Sequence, residues 1–162
     1  MQGAKDSFFV ALRERLAEVN PERTVVIDGQ VRPGILVCEN ETEGVSGFVS
    51  DVFCIEFQDV QQVAYIAQAP MRMTCTITYR TKGVGASSAL GRGRALAKMD
   101  TELGALLAAG VTRKLDHSAV PIADLGTMVF WGQPTFEAMT FDGEEVKRTA
   151  RVSVYFHAEA GA

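Results

Sequence analysis

The sequence predicts an α+β fold: a mostly antiparallel sheet packed against two main helices in a single domain. Three observations lead there. Residues 71–80, MRMTCTITYR, alternate strictly, with Met71, Met73, Cys75, Ile77 and Tyr79 on one side and Arg72, Thr74, Thr76, Thr78 and Arg80 on the other. That is the period of a strand with one buried face. Leu96, Met99, Leu103 and Leu106 follow at spacings of three and four, with Leu107 beside them, which gives a helix one apolar stripe. Finally, the elements run helix, hairpin, strand, strand, helix, strands. Helices do not alternate with strands, so a parallel doubly wound sheet is excluded. At 162 residues, 47% apolar and 22% charged, the chain suits one domain with a full core.

Residues 6–19, DSFFVALRERLAEV, predict the first helix, with Phe9, Leu12, Leu16 and Val19 as its stripe. Asp6 or Ser7 can cap it by accepting an orphan backbone N–H, and Asn20-Pro21 ends it. Residues 23–38, RTVVIDGQVRPGILVC, predict two short strands about Asp28-Gly29, a pair that supplies the positive φ of a tight hairpin. Pro33 lacks an N–H, so this hairpin is expected to lie at a sheet edge or to break at that point. The acidic, Gly/Ser-containing stretch 39–50 reads as a surface loop or arm. Residues 52–57, VFCIEF, read as a strand with Phe53, Ile55 and Phe57 inward, and 58–70 is open between loop and helical turn.

After the strand at 71–80, TKGVGASS forms a hinge into the second helix, for which Gly110 is the expected C-cap. Residues 111–127 contain Pro121 and many small or polar residues and read mostly as loop. Residues 128–131 and 135–141 read as strands. Asp142-Gly143 is a second turn, leading into a last strand over 145–157, where Val152, Val154 and Phe156 alternate with Arg151, Ser153 and Tyr155. The tail AEAGA is expected to fray.

The three cysteines, Cys38, Cys54 and Cys75, lie in apolar runs without a C-x-x-C spacing. They read as small buried hydrophobes in a reducing compartment. The start MQGAKDSFF has no apolar h-region and no stretch approaches 18 apolar residues, so neither signal peptide nor membrane span is expected. The chain is expected to stay in the cytoplasm of its producing cell. A net charge of −4 argues against a dedicated nucleic-acid binder.

No catalytic pattern survives inspection. The hinge Gly83–Ser88 follows a strand and opens a helix, the setting of a phosphate loop, but its sixth position is Ser88 and no G-x-x-x-x-G-K-[ST] is present. His117 and His157 are far apart and lack further ligands at short spacing. Asp116-His117-Ser118 adjacent in sequence is no triad, because triad partners converge in space. No cofactor and no metal are therefore expected. Arg72, Arg80, Lys82, Arg92 and Arg94, with Lys147, Arg148 and Arg151, read first as solvated charge. Alternatively they form a patch that meets the acidic residues Glu39, Glu41 and Glu43 of a neighbouring copy, since opposite signs on one chain suit head-to-tail contacts that close into rings.

The succession FFVALRERLAEV, VVIDGQVRPGILV, VFCIEF, CTITYRTKG, the helix 89–109 and ARVSVYFHAE resembles the tail terminator (minor tail, tail-completion) proteins of tailed bacteriophages. The likeness covers nearly the whole chain and lies in pattern rather than in signature residues. It implies a non-enzymatic virion protein of the tail or neck, assembled in the host cytoplasm. Such a protein forms a ring, usually a hexamer, on the finished tail tube, ends tube polymerisation and presents a surface to the head–tail connector. The implied partners are further copies of itself, the tail tube protein and the connector or neck protein, with DNA passing through the channel without specific binding and no membrane contact. The resemblance carries no catalytic residue across. A head–tail connector of the same fold is the alternative within this class, and a small ligand-binding or enzymatic α+β domain is the alternative outside it.

Overall fold

A computed structural model describes residues 1–41, 49–66, 68–83 and 90–159; the side chains of Glu41, Asp59 and Asp142 are outside the description. The elements follow in the order α1 (Gln2–Val19), β1 (Thr24–Ile27), β2 (Gln30–Pro33), β3 (Ile35–Val37), α2 (Cys38–Glu41), β4 (Phe53–Gln62), β5 (Met71–Thr81), α3 (Gly91–Leu107), β6 (Val111–Asp116), β7 (Ala123–Trp131), β8 (Thr135–Phe136), β9 (Thr140–Asp142) and β10 (Glu145–Phe156). The fold is α+β. One curled sheet has the order β3-β4-β5-β10-β7-β6, with β8 and β9 also paired to β10, and β1-β2 form a separate ribbon. Every pairing is antiparallel except β3 with β4.

The central pair is β5 with β10, in unbroken register from Thr81↔Val146 to Met71↔Phe156. The alternation read from the sequence holds: Met73, Cys75, Ile77 and Tyr79 are buried, as are Val146, Ala150, Val152, Val154 and Phe156 across from them. These side chains share one core with Phe8, Leu12 and Leu16 of α1 and with Leu96, Met99, Leu103, Leu106 and Leu107 of α3. Both long helices therefore lie on the same face of the sheet. Phe8 packs edge-on to Phe57 and Trp131, and the Trp131 indole N–H donates to the Leu107 carbonyl at 3.0 Å.

Helix α1 differs from its expected phase and start. Its buried face is Ala4, Ser7, Phe8, Ala11, Leu12 and Leu16, while Val19 is exposed and Phe9 only partly covered. Leu12 and Leu16 lie on the buried face as expected, but small residues allow α1 to lie close to the sheet, so Phe8 and the small Ala4, Ser7 and Ala11 complete that face in place of Phe9 and Val19. The helix begins at Gln2 with Met1 as its N-cap and no side-chain cap. Neither Asp6 nor Ser7 caps it: Asp6 accepts from the Gln2 amide, and Ser7 is buried against β6.

The Asp28-Gly29 turn forms as expected, with φ of 49° and 77° joining β1 to β2. The segment continues into a third strand, β3, which pairs in parallel with the start of β4. That pairing brings Cys38 to Cys54, and the two are joined in a disulfide with Cα atoms 6.0 Å apart, inside the normal bridging range. The expectation of three free thiols is corrected; only Cys75 is free, and it is buried. The acidic stretch opens with the short α2, and 42–48 lie outside the described residues. Strand β4 extends past Phe57 to Gln62, with a register shift between Gln58 and Val60.

The largest departure is at 111–127. These residues form the hairpin β6–β7, not a loop. The last turn reads one residue later than expected, since Asp142 and Glu145 are paired and Gly143-Glu144 make the bend, with Gly143 at φ 60°. Gly110 adopts φ 63° two residues beyond the C-cap of α3, which is Ala108. The hinge reading falls on 84–89, outside the described residues.

Candidate interaction surface

On the face turned away from α1 and α3, the β5–β10 pair carries mostly polar side chains. Toward β3 that face holds the small buried cluster of Val25, Leu36 and Val52, and toward β6 the exposed Val111, Met128 and Phe130. In the β5–β10 register Thr78 stands opposite Thr149, Thr76 opposite Arg151, Thr74 opposite Ser153 and Arg72 opposite Tyr155. The Thr78 and Thr149 hydroxyls are 3.4 Å apart. Thr76 is only 9% exposed, yet its hydroxyl has no hydrogen-bond partner among the described residues. A buried hydroxyl without a partner is an uncommon feature that a docking group would satisfy.

The basic residues singled out in the sequence do not gather into one patch. Arg72 and Arg80 sit at opposite ends of β5, roughly 27 Å apart at strand rise. Arg72 donates to Gln61 at 3.0 Å, and Arg80 is 3.4 Å from Glu145, whose carboxylate also accepts from the Ser50 hydroxyl. Lys82 is exposed just past β5. Arg92 and Arg94 stand in the first turn of α3; Arg92 donates to the Glu144 carbonyl at 3.0 Å. Arg94 lines a broad hollow with Lys98, Arg23 and Asp51. Arg148 pairs with Asp100 at 3.0 Å and Arg151 with Glu137 at 2.7 Å. Among the acids, Glu39 pairs with Lys5 of its own chain at 3.3 Å. Glu41 closes α2, and Glu43 lies outside the described residues.

Several other buried polar groups are occupied structurally. Glu102 on α3 accepts from Arg23 at 2.5 Å and from the Asn20 amide at 2.7 Å, tying the end of α1 to α3. Tyr79 donates to Asp100, and burial pushes its phenol well above the ordinary range. Burial likewise raises the Cys75 thiol, which keeps it protonated and unreactive. Asp116 accepts both the Ser118 hydroxyl at 2.6 Å and its N–H at 2.9 Å, bonds that hold its carboxyl below the usual range. This is a local turn, as the sequence suggested, and not a triad. Among the described residues no group of three His, Cys, Asp or Glu could hold a metal ion. No described helix is long and apolar enough to cross a membrane.

What sequence reasoning missed are exposed apolar side chains and sheet edges. Phe136, Met139 and Phe141 on β8–β9 are 39%, 39% and 70% exposed. A cleft of about 210 Å³ opens between α1 and β4, walled by Phe9, Val10, Val37 and Phe57. The β6 edge is sealed by α1: Ser7 Oγ donates to the Leu115 carbonyl and accepts its N–H at 2.8 Å, and Arg15 reaches the Val111 carbonyl. By contrast β3 covers only Phe53, Cys54 and Ile55 of β4. The alternation of VFCIEF could have flagged β4; which side of it remains unpaired follows only from the strand order. No protein-family profile and no curated protein matches the sequence.

Proposed function

We propose that the protein is a structural component of a phage virion: a ring of copies that caps the tail tube, ends its polymerisation and offers the head–tail connector a surface. The observation that carries this reading is the one-sided sheet. Both long helices pack on one face, which leaves the Thr/Arg stretch of β5–β10 on the other face, and sheet edges that have no strand partner among the described residues, to meet neighbours or line a passage. The order of elements, with helix, hairpin, strands, amphipathic helix and closing strands, agrees with the order that the resemblance implies. A net charge of −4 suits a passage through which DNA slides without being held by phosphate contacts. The Cys38–Cys54 bridge suits a particle that leaves the cell, because disulfides persist on virions outside reducing compartments.

Adding the purified protein to growing tail tubes tests the reading. Tubes capped at one end and arrested in length are expected. Continued growth with no protein at the tube ends would contradict it.

A further inference from the structure

We infer that copies of this chain join edge to edge into one continuous sheet, with the β8–β9 edge of one copy laid along the free β4 edge of the next. Beyond Ile55, the outer edge of β4 from Glu56 to Gln62 has no strand partner among the described residues. On the far side of the sheet, among the described residues, β8 and β9 pair only with β10, so their outer edge also has no strand partner there. The third edge, β6, is closed by Ser7 and Arg15. An uncovered edge is a template for another strand, and strand addition is a recurring mode of protein recognition.

The directions agree. β4 runs with β10, and β8–β9 run against it, so a second copy placed beside β8–β9 in the same orientation presents β4 in antiparallel sense. The faces agree too. Phe136 is opposite Ala150 and Phe141 opposite Val146, and both partners belong to the helix-side core. The exposed phenyl rings therefore point to the helix side, the side on which Phe57 of β4 lines a cleft shared with α1, β3 and α2.

The charges are complementary. Glu56 on the polar face of β4 and Lys147 on the polar face beside β9 each lack an ion-pair partner among the described residues. The two free edges lie toward opposite ends of the sheet, so joining them steps each copy along the strands, the stagger by which a sheet closes on itself. The contact uses two different surfaces, which is the head-to-tail kind that makes a ring when the rotation between copies closes, and not a two-fold dimer. This deepens the ring reading by naming its interface.

Sedimentation velocity over a concentration series of the full chain tests it. The variants are Glu56→Lys, Lys147→Glu, the two combined, and Phe136→Ser with Phe141→Ser. A Val120→Ser control alters an apolar residue that is 98% exposed away from both edges. All sites are at the surface, and thermal unfolding checks that each variant folds. Each single charge reversal and the phenylalanine variant are expected to weaken self-association about tenfold or more, the loss typical of a removed interface anchor. The double reversal should recover it, and the control should match wild type. If wild type associates while the edge variants do so equally, or if the double reversal fails to recover, the interface is overturned and the ring reading stands. A wild type that stays monomeric throughout also overturns the interface. The tube-capping experiment then decides the ring reading separately.

Discussion

Lys114 is fully buried, with its ammonium 2.5 Å from Glu159 and 2.7 Å from the His157 carbonyl, over the ring of Phe156. A buried ammonium needs such partners; Glu159 comes from the tail that the sequence marks for fraying, and His157 and Phe156 from the end of the last strand expected over 145–157. The Lys114 hydrogen bond holds the Glu159 carboxyl below its ordinary 4.5. A depressed carboxyl contributes stability that is present above its unfolded pKa and lost as pH falls through its folded one. The melting temperature should therefore fall as pH drops from about 4.5 downward, and this slope should flatten in Lys114→Met. Glu159 is partly open to solvent, so the effect is a matter of a few degrees. An unchanged slope in Lys114→Met would contradict the pairing. Glu102 and Arg23 present the same chemistry deeper inside, 5% and 9% exposed. Glu102→Ala strands the guanidinium and should cost about 3 kcal/mol in denaturant unfolding, while replacing both partners by Leu and Met should cost much less.

At the level of elements, legibility follows how completely burial matches side-chain chemistry. β5 and α3 were readable because their inward positions run apolar from Met73 to Tyr79 and, Glu102 apart, from Leu96 to Leu107. β6 was not, because VTRKLD sends Lys114 into the core while Val111 is 38% exposed. The alternation exists in space but not in hydrophobicity. β7 was half legible: MVFW declares itself, whereas Pro121 and Gly126 imitate a loop ahead of it. The expected stripe of α1 held at Leu12 and Leu16 and failed at Phe9 and Val19 for a related reason, since Ala4, Ser7 and Ala11 are buried but small. The disulfide depends on the parallel pairing of β3 with β4, which no local pattern announces. It closes a separation of 16 residues, and a loop of that size is worth about 3 kcal/mol on the chain-entropy account. Reductant, or Cys38→Ser with Cys54→Ser, should lower the thermal midpoint accordingly, and an identical midpoint in both redox states would contradict that contribution.

Across the whole molecule, the α+β class was readable from the order of elements, but the interaction surface was not. The candidate residues Arg72, Arg80, Lys82, Arg92, Arg94 and Glu39 are spread over both faces and both ends of the sheet, and several are paired within their own chain. Charge in a sequence carries no address until the strands are ordered. Free edges and exposed rings such as Phe141 are properties of that order alone. We propose that this sheet, with both long helices on one face, serves as a subunit of a tail-capping ring. The most direct measurement is negative-stain imaging of tails assembled in cells that lack this protein. Overlong tails without attached heads are the predicted result, and tails of normal length joined to heads would contradict it.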